Sequence, residues 1–214
     1  NRKALKYAKQ SIKLLEEQNN TYQKGKSQIT YSKLLAGLGK NDQALKILRQ
    51  AEDSLKNYAI RGNVLWVDKA DILMDQGIYD NRVWDLLQKS EFTAVIPYDK
   101  LAIIIVKLAW CYENNEFVKA NLLIERGEKL LPLEPDHHIH ALFYYNAYAV
   151  LKKSGETDKS QIYYNKAFAL KEYSRFIKAR IDGPKTKEEK NRIKHPWYII
   201  YLSFWNHDVE NISE

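Results

Sequence analysis

Residues 39–51 read GKNDQALKILRQA, and the phrase returns as GIYDNRVWDLLQK at 77–89, NEFVKANLLIERG at 115–127 and GETDKSQIYYNKA at 155–167. A glycine or asparagine opens each copy. In the first copy a small residue, Ala44, stands five positions on, an aliphatic residue, Leu48, four beyond it, and a second small residue, Ala51, three further. Ala120, Ile124 and Gly127 repeat that set, and Ser160, Tyr164 and Ala167 keep it with an aromatic ring in the middle. The second copy places Arg82, Leu86 and Lys89 there, so its second helix is expected to depart from the others. The opening residues lie 38, 38 and 40 positions apart, and a fixed period in that range marks a chain of stacked supersecondary units.

Between the openings, apolar residues recur with a helical period, Pro and Gly are sparse, and no sustained alternation suggests strands. The fold class is therefore all-α. The reading places an opening helix at 2–18, closed by Asn19-Asn20, and then four helical hairpins. Their first (A) and second (B) helices span 22–38 and 41–57, 62–76 and 79–89, 98–114 and 116–131, and 137–154 and 158–181. Each A helix ends at Gly39, Gly77, Asn115 or Gly155, the two residue types that best adopt the left-handed conformation closing a helix. Small residues seven apart on the B helices would let a neighbouring helix approach closely. Pro132 should stop the third B helix.

On these residues the chain resembles the tetratricopeptide repeat (TPR) family. Trp66, Ala70 and Leu73 resemble the family's helix A phrase, and Tyr144, Tyr148 and Leu151 resemble it more loosely. Phe117, Ala120, Ile124, Gly127 and Pro132 resemble its helix B phrase. The likeness covers about residues 1–172, and the repeat domain is placed at 1–181, with 22–57, 62–89, 98–131 and 137–181 as repeats and 1–18 as part of a preceding one. Repeats of 38 to 40 residues exceed the family's 34, as in its longer-repeat members that serve as sensor domains in bacterial signalling proteins. The resemblance implies a right-handed α-α superhelix, a solenoid whose A helices line a concave groove. Residues 182–214 read as a charged linker and an aromatic helix at Trp197–Trp205. That helix suits a cap over the last open face, a contact for a second copy or partner through Trp197, Tyr201 and Trp205, or an element at a membrane surface.

The chain has 214 residues, 34 Lys and Arg, 27 Asp and Glu, and a net charge of +7. Basic residues outnumber acidic ones 12 to 5 over 1–60 and 10 to 7 over 161–214, whereas 61–160 carries 12 against 15. Basic ends and an acidic middle argue against direct nucleic-acid binding, which wants one contiguous basic face. No apolar run approaches the ~18 residues of a membrane span. The single cysteine, Cys111, fits either redox compartment, and a cytoplasmic location is expected. Because the chain opens on Asn1-Arg2-Lys3 inside a helix, it reads as a piece of a longer protein.

No cofactor, metal or catalytic motif is expected. His137, His138 and His140 have a metal-like look but lack the further ligands zinc wants, and Asp136 reads equally well as the cap of a His-rich first turn. Cys111 reads as a small core residue. Gly37-Leu38-Gly39 follows no strand and is a turn, not a phosphate loop.

The resemblance carries groove positions onto Lys26, Ile29 and Lys33 in the first repeat and Val67, Asp68, Asp71 and Asp75 in the second. The third and fourth repeats contribute Ile105, Ala109, Tyr112, Glu113, Tyr145, Asn146, Ala149 and Lys152. Lys33, Ile29 and Asp68 do not supply the family's clamp for a C-terminal carboxylate. Such a groove is acidic at its centre with aromatic surface beside it, and favours a basic or amphipathic protein or peptide. The i, i+3 and i+7 spacing of Asp68, Asp71 and Asp75 also suits a solvated stripe. The expected function is a non-enzymatic scaffold binding a protein or peptide. The alternative is the sensor or regulatory half of a larger transcription regulator or kinase.

Overall fold

The computed structural model describes residues 2–56, 62–133 and 136–183. Among them every regular element is helical: α1 (Arg2–Glu17), α2 (Thr21–Ala36), α3 (Asn41–Leu55), α4 (Gly62–Asp75), α5 (Asn81–Thr93), α6 (Pro97–Asn114), α7 (Phe117–Leu130), α8 (His137–Ser154), α9 (Thr157–Ala169) and α10 (Arg175–Asp182). Single 3₁₀ turns follow α7 at Leu131–Leu133 and α9 at Lys171–Tyr173. The chain forms two compact units, divided between Ala94 and Val95. Trp197, Tyr201 and Trp205 lie outside the described residues.

In the N-terminal unit each of α1 to α4 packs on its successor, and α2 also touches α4. The C-terminal unit repeats the scheme, with α6 against α7 and α8, α7 against α8, and α8 against α9 and α10. The hairpins are set by their turns. Gly39, Gly77, Asn115 and Gly155 all adopt the left-handed conformation, with φ of 73°, 80°, 58° and 86°, and Asn19 does so at 54° after α1. After each of them the next amide donates to the carbonyl five residues back: Asn20 to Leu15, Lys40 to Leu35, Ile78 to Leu73, Glu116 to Cys111 and Glu156 to Leu151, at 3.0 Å in every case. That bond satisfies a carbonyl the helix end would otherwise leave open.

The B helices share one buried register. Ala44, Leu48 and Ala51 are buried in α3, Ala120, Ile124 and Gly127 in α7, and Ser160, Tyr163 and Ala167 in α9. The fourth set uses Tyr163 where the repeated phrase pointed to Tyr164. In α5 the buried set is Val83, Leu87 and Ser90, while Arg82 and Lys89 face solvent. The second repeat therefore keeps the pattern one residue later. The reason is its start: the N-caps Lys40, Glu116 and Glu156 directly follow their turn residues, whereas α5 is capped by Asp80, three residues after Gly77. The Asp80 side chain accepts from the Arg82 amide at 3.0 Å and from its guanidinium at 2.7 Å. Arg82 thus belongs to the cap, not to the packed face.

Two glycines mark close helix contacts. A Cβ on Gly127 would lie 2.2 Å from Phe143 Cε2 of α8, and one on Gly25 would lie 2.5 Å from Leu55 Cγ of α3. The expected helix over 158–181 is two helices. α9 stops at Ala169, and Ser174, extended at φ −135° and ψ 104°, caps α10 by accepting from the Ile177 amide at 3.4 Å. The middle of α6 is buried all round, from Leu101 to Cys111, and among these otherwise apolar residues it encloses the charged Lys107, 1% exposed.

Candidate interaction surface

The carried-over groove positions separate into buried residues and exposed ones. In the N-terminal unit Asp68 and Asp71 are 0% and 2% exposed, so two of the three expected acidic groove residues present no surface charge. α4 is packed by α2, α3 and α5, which leaves little of its circumference open. Lys33 of α2 places its Nζ 3.4 Å from Asp68 Oδ2. Burial pushes the Asp68 carboxyl up from 3.8 to about 6, and the adjacent ammonium offsets part of that rise. Asp75 is exposed, yet its Oδ2 accepts from Asn41 Nδ2 at 2.9 Å, while Gln76 Nε2 donates to Asp42 Oδ1 at 3.1 Å. These bonds tie the end of α4 to the start of α3. Lys26 is half-buried, with its Nζ 5.8 Å from the centre of the Tyr22 ring. Ile29 and Val67 are core residues.

In the C-terminal unit Ile105, Ala109 and Ala149 are buried, and Asn146, 1% exposed, donates back to the Leu142 carbonyl at 2.9 Å. Tyr112, Glu113 and Tyr145 are half-exposed, and Lys152 is exposed. Around them runs an aromatic strip that sequence reasoning found only in part. The rings of Tyr145 and Tyr148 on α8 are 5.6 Å apart, Tyr148 is 5.1 Å from Tyr164 on α9, and Tyr164 is 6.4 Å from Phe168. Cations flank the strip: Arg180 lies 5.4 Å from the Tyr145 ring, Lys152 5.5 Å from Tyr148 and Lys171 4.4 Å from Phe168. Lys153 stands 4.2 Å over Tyr112 and donates to its backbone carbonyl. The Lys152 ammonium donates to Tyr148 Oη at 3.1 Å, and this bond raises its pKa, helped by the phenolic oxygens of Tyr145 and Tyr164. The signal for the strip was present as Tyr145, Tyr148 and Lys152 at i, i+3 and i+7, and Tyr164 and Phe168 at i and i+4, but their juxtaposition depends on how α8 meets α9.

The histidines serve the helix start. Asp136 accepts from the His138 amide at 2.7 Å, His138 Nδ1 lies 3.2 Å from the Tyr173 carbonyl, and the rings of His137 and His140 stack edge to face at 5.8 Å. Among the described residues no group of three ligand-type side chains is placed to hold a metal. Cys111 is buried, and burial raises its thiol to about 12, which keeps it protonated and poorly nucleophilic. No described helix is long and apolar enough to cross a membrane.

The chain matches no family model, no curated protein and no solved structure in the three comparisons made with them.

Proposed function

We propose that this protein is a non-enzymatic interaction module of the TPR type, which binds a protein or peptide through an exposed face shared by the A and B helices of its fourth repeat. The observation that carries this reading is the strip on α8 and α9. Half-exposed tyrosines in contact with one another, flanked by cations, offer large contact area at small cost in side-chain entropy, which is the chemistry of binding hot spots. The repeated turns and the shared buried register support a solenoid, whose role is to hold such a surface rigid. The burial of Asp68 and Asp71 removes most of the charge argument for a basic partner, and the binding surface moves to the C-terminal unit.

The test is affinity capture from the native host with the whole chain as bait, beside a Tyr148→Ala, Tyr164→Ala variant checked for an unchanged helical spectrum. A discrete set of proteins held by the parent and lost from the variant is expected. A set that survives the double substitution would show that this face is not the binding surface.

A further inference from the structure

Resting on the reading of the α8–α9 face as a docking surface, we infer that its ligand is an internal acidic segment of a protein, with its carboxylate side chains received at Lys152. The inference starts from what surrounds that ammonium. Lys152 has no carboxylate within ion-pair distance among the described residues, whereas Lys159 and Lys166 of α9, Lys171 in the turn after it and Lys178 of α10 each pair with one, and Lys153 is occupied by the Tyr112 carbonyl. Lys152 donates to Tyr148 Oη at 3.1 Å, and the proton of that hydroxyl can turn outward beside the ammonium. Ammonium and phenol together make a donor-rich cluster suited to an anion, and charge-assisted hydrogen bonds are the strong ones. The rings on either side supply apolar contact for aliphatic or aromatic residues flanking the acid.

The same geometry weighs against a nucleic acid. Base stacking needs open ring faces. Here Lys152 and Arg180 lie against the Tyr148 and Tyr145 rings, and the Tyr145–Tyr148 and Tyr148–Tyr164 pairs are tilted by 63° and 57°. A peptide needs no flat platform. Its carboxylates reach Lys152 while its side chains lie along the strip.

The experiment is selection of random twelve-residue peptides, amidated at their C-termini, against the whole chain, followed by fluorescence anisotropy of the enriched sequences. Enrichment of Asp and Glu beside Leu or Phe is expected, with affinity falling about ten-fold or more in Lys152→Glu, which corresponds to roughly 1.4 kcal/mol, and largely kept in Lys152→Arg. Because Lys152 is exposed, both variants should melt within a few degrees of the parent. Enriched peptides that are basic or neutral, or acidic peptides indifferent to Lys152→Glu, would overturn the inference and leave the interaction module standing. No enrichment, or single-stranded oligouridylate bound in preference to every peptide, would overturn it too. A parent chain that captures no discrete set of proteins in the preceding experiment is the distinct result that would sink the module itself.

Discussion

At the scale of the residue, two positions show how local chemistry and packing divide the work. Gly155 turns the chain at φ 86° with nothing near its missing Cβ, whereas Gly127 has an ordinary helical backbone and Phe143 at 2.2 Å from the place a Cβ would take. Gly155→Ala is expected to cost about 1 kcal/mol through backbone strain alone. Gly127→Ala should cost more, roughly 1 to 3 kcal/mol, because Phe143 has to move. Denaturant titration of both variants checks the order.

Asp68 makes a second residue-scale prediction. Its folded pKa of about 6 lies above the ordinary 3.8, so folding takes up a proton between those values. This group favours the folded state fully below pH 3.8, and that contribution is lost as pH rises through about 6. Stability measured at pH 5 and pH 7 should therefore fall across the interval, and Asp68→Asn should reduce the fall. Lys33→Met should lower stability at pH 7 by about 1 to 3 kcal/mol, since it removes the partner of a buried carboxyl whose pKa then rises further and which takes up a proton. A Lys33→Met variant as stable as the parent would show that the pair contributes nothing.

Between helices the question becomes one of register. The left-handed turns were legible because only Gly and Asn fill those positions comfortably, and Asn19, read only as closing the first helix, follows the same rule. The register of α5 was not legible, because it depends on whether the cap follows the turn residue at once or three residues later, and Asp80 wins by holding both the amide and the guanidinium of Arg82. Arg82→Ala and Lys89→Ala should accordingly change stability by less than about 0.5 kcal/mol. Val83→Ala, one position on and fully buried, should cost about 2 kcal/mol. Thermal melts of the three variants distinguish this register from the one the repeated phrase suggests. The break between α9 and α10 was hidden for a similar reason: Ser174 is tolerated inside a helix, and only its extended backbone and its bond to Ile177 reveal a new start.

Across the molecule, the carboxylates of the acidic middle divide: Asp68 and Asp71 are buried, and several of the others are engaged by neighbouring helices. Asp68 faces Lys33, Asp75 holds Asn41, Glu128 pairs with Lys166 and Glu156 accepts from Asn121, so these carboxylates tie helix to helix. Composition could count those carboxylates but could not say which helices would meet them. The aromatic strip escaped full notice for the complementary reason, that its rings come from α8 and α9 and join only when the helices pack. The carried-over groove positions led to the expectation of a basic ligand at the centre, whereas the inferred ligand is an acidic one on the C-terminal unit. Side-chain footprinting of the whole chain, with and without the partner captured from its host, tests that claim directly. Protection of Tyr145, Tyr148 and Tyr164 with Tyr22 and Tyr31 unchanged is the predicted pattern, and protection confined to the N-terminal tyrosines would contradict it.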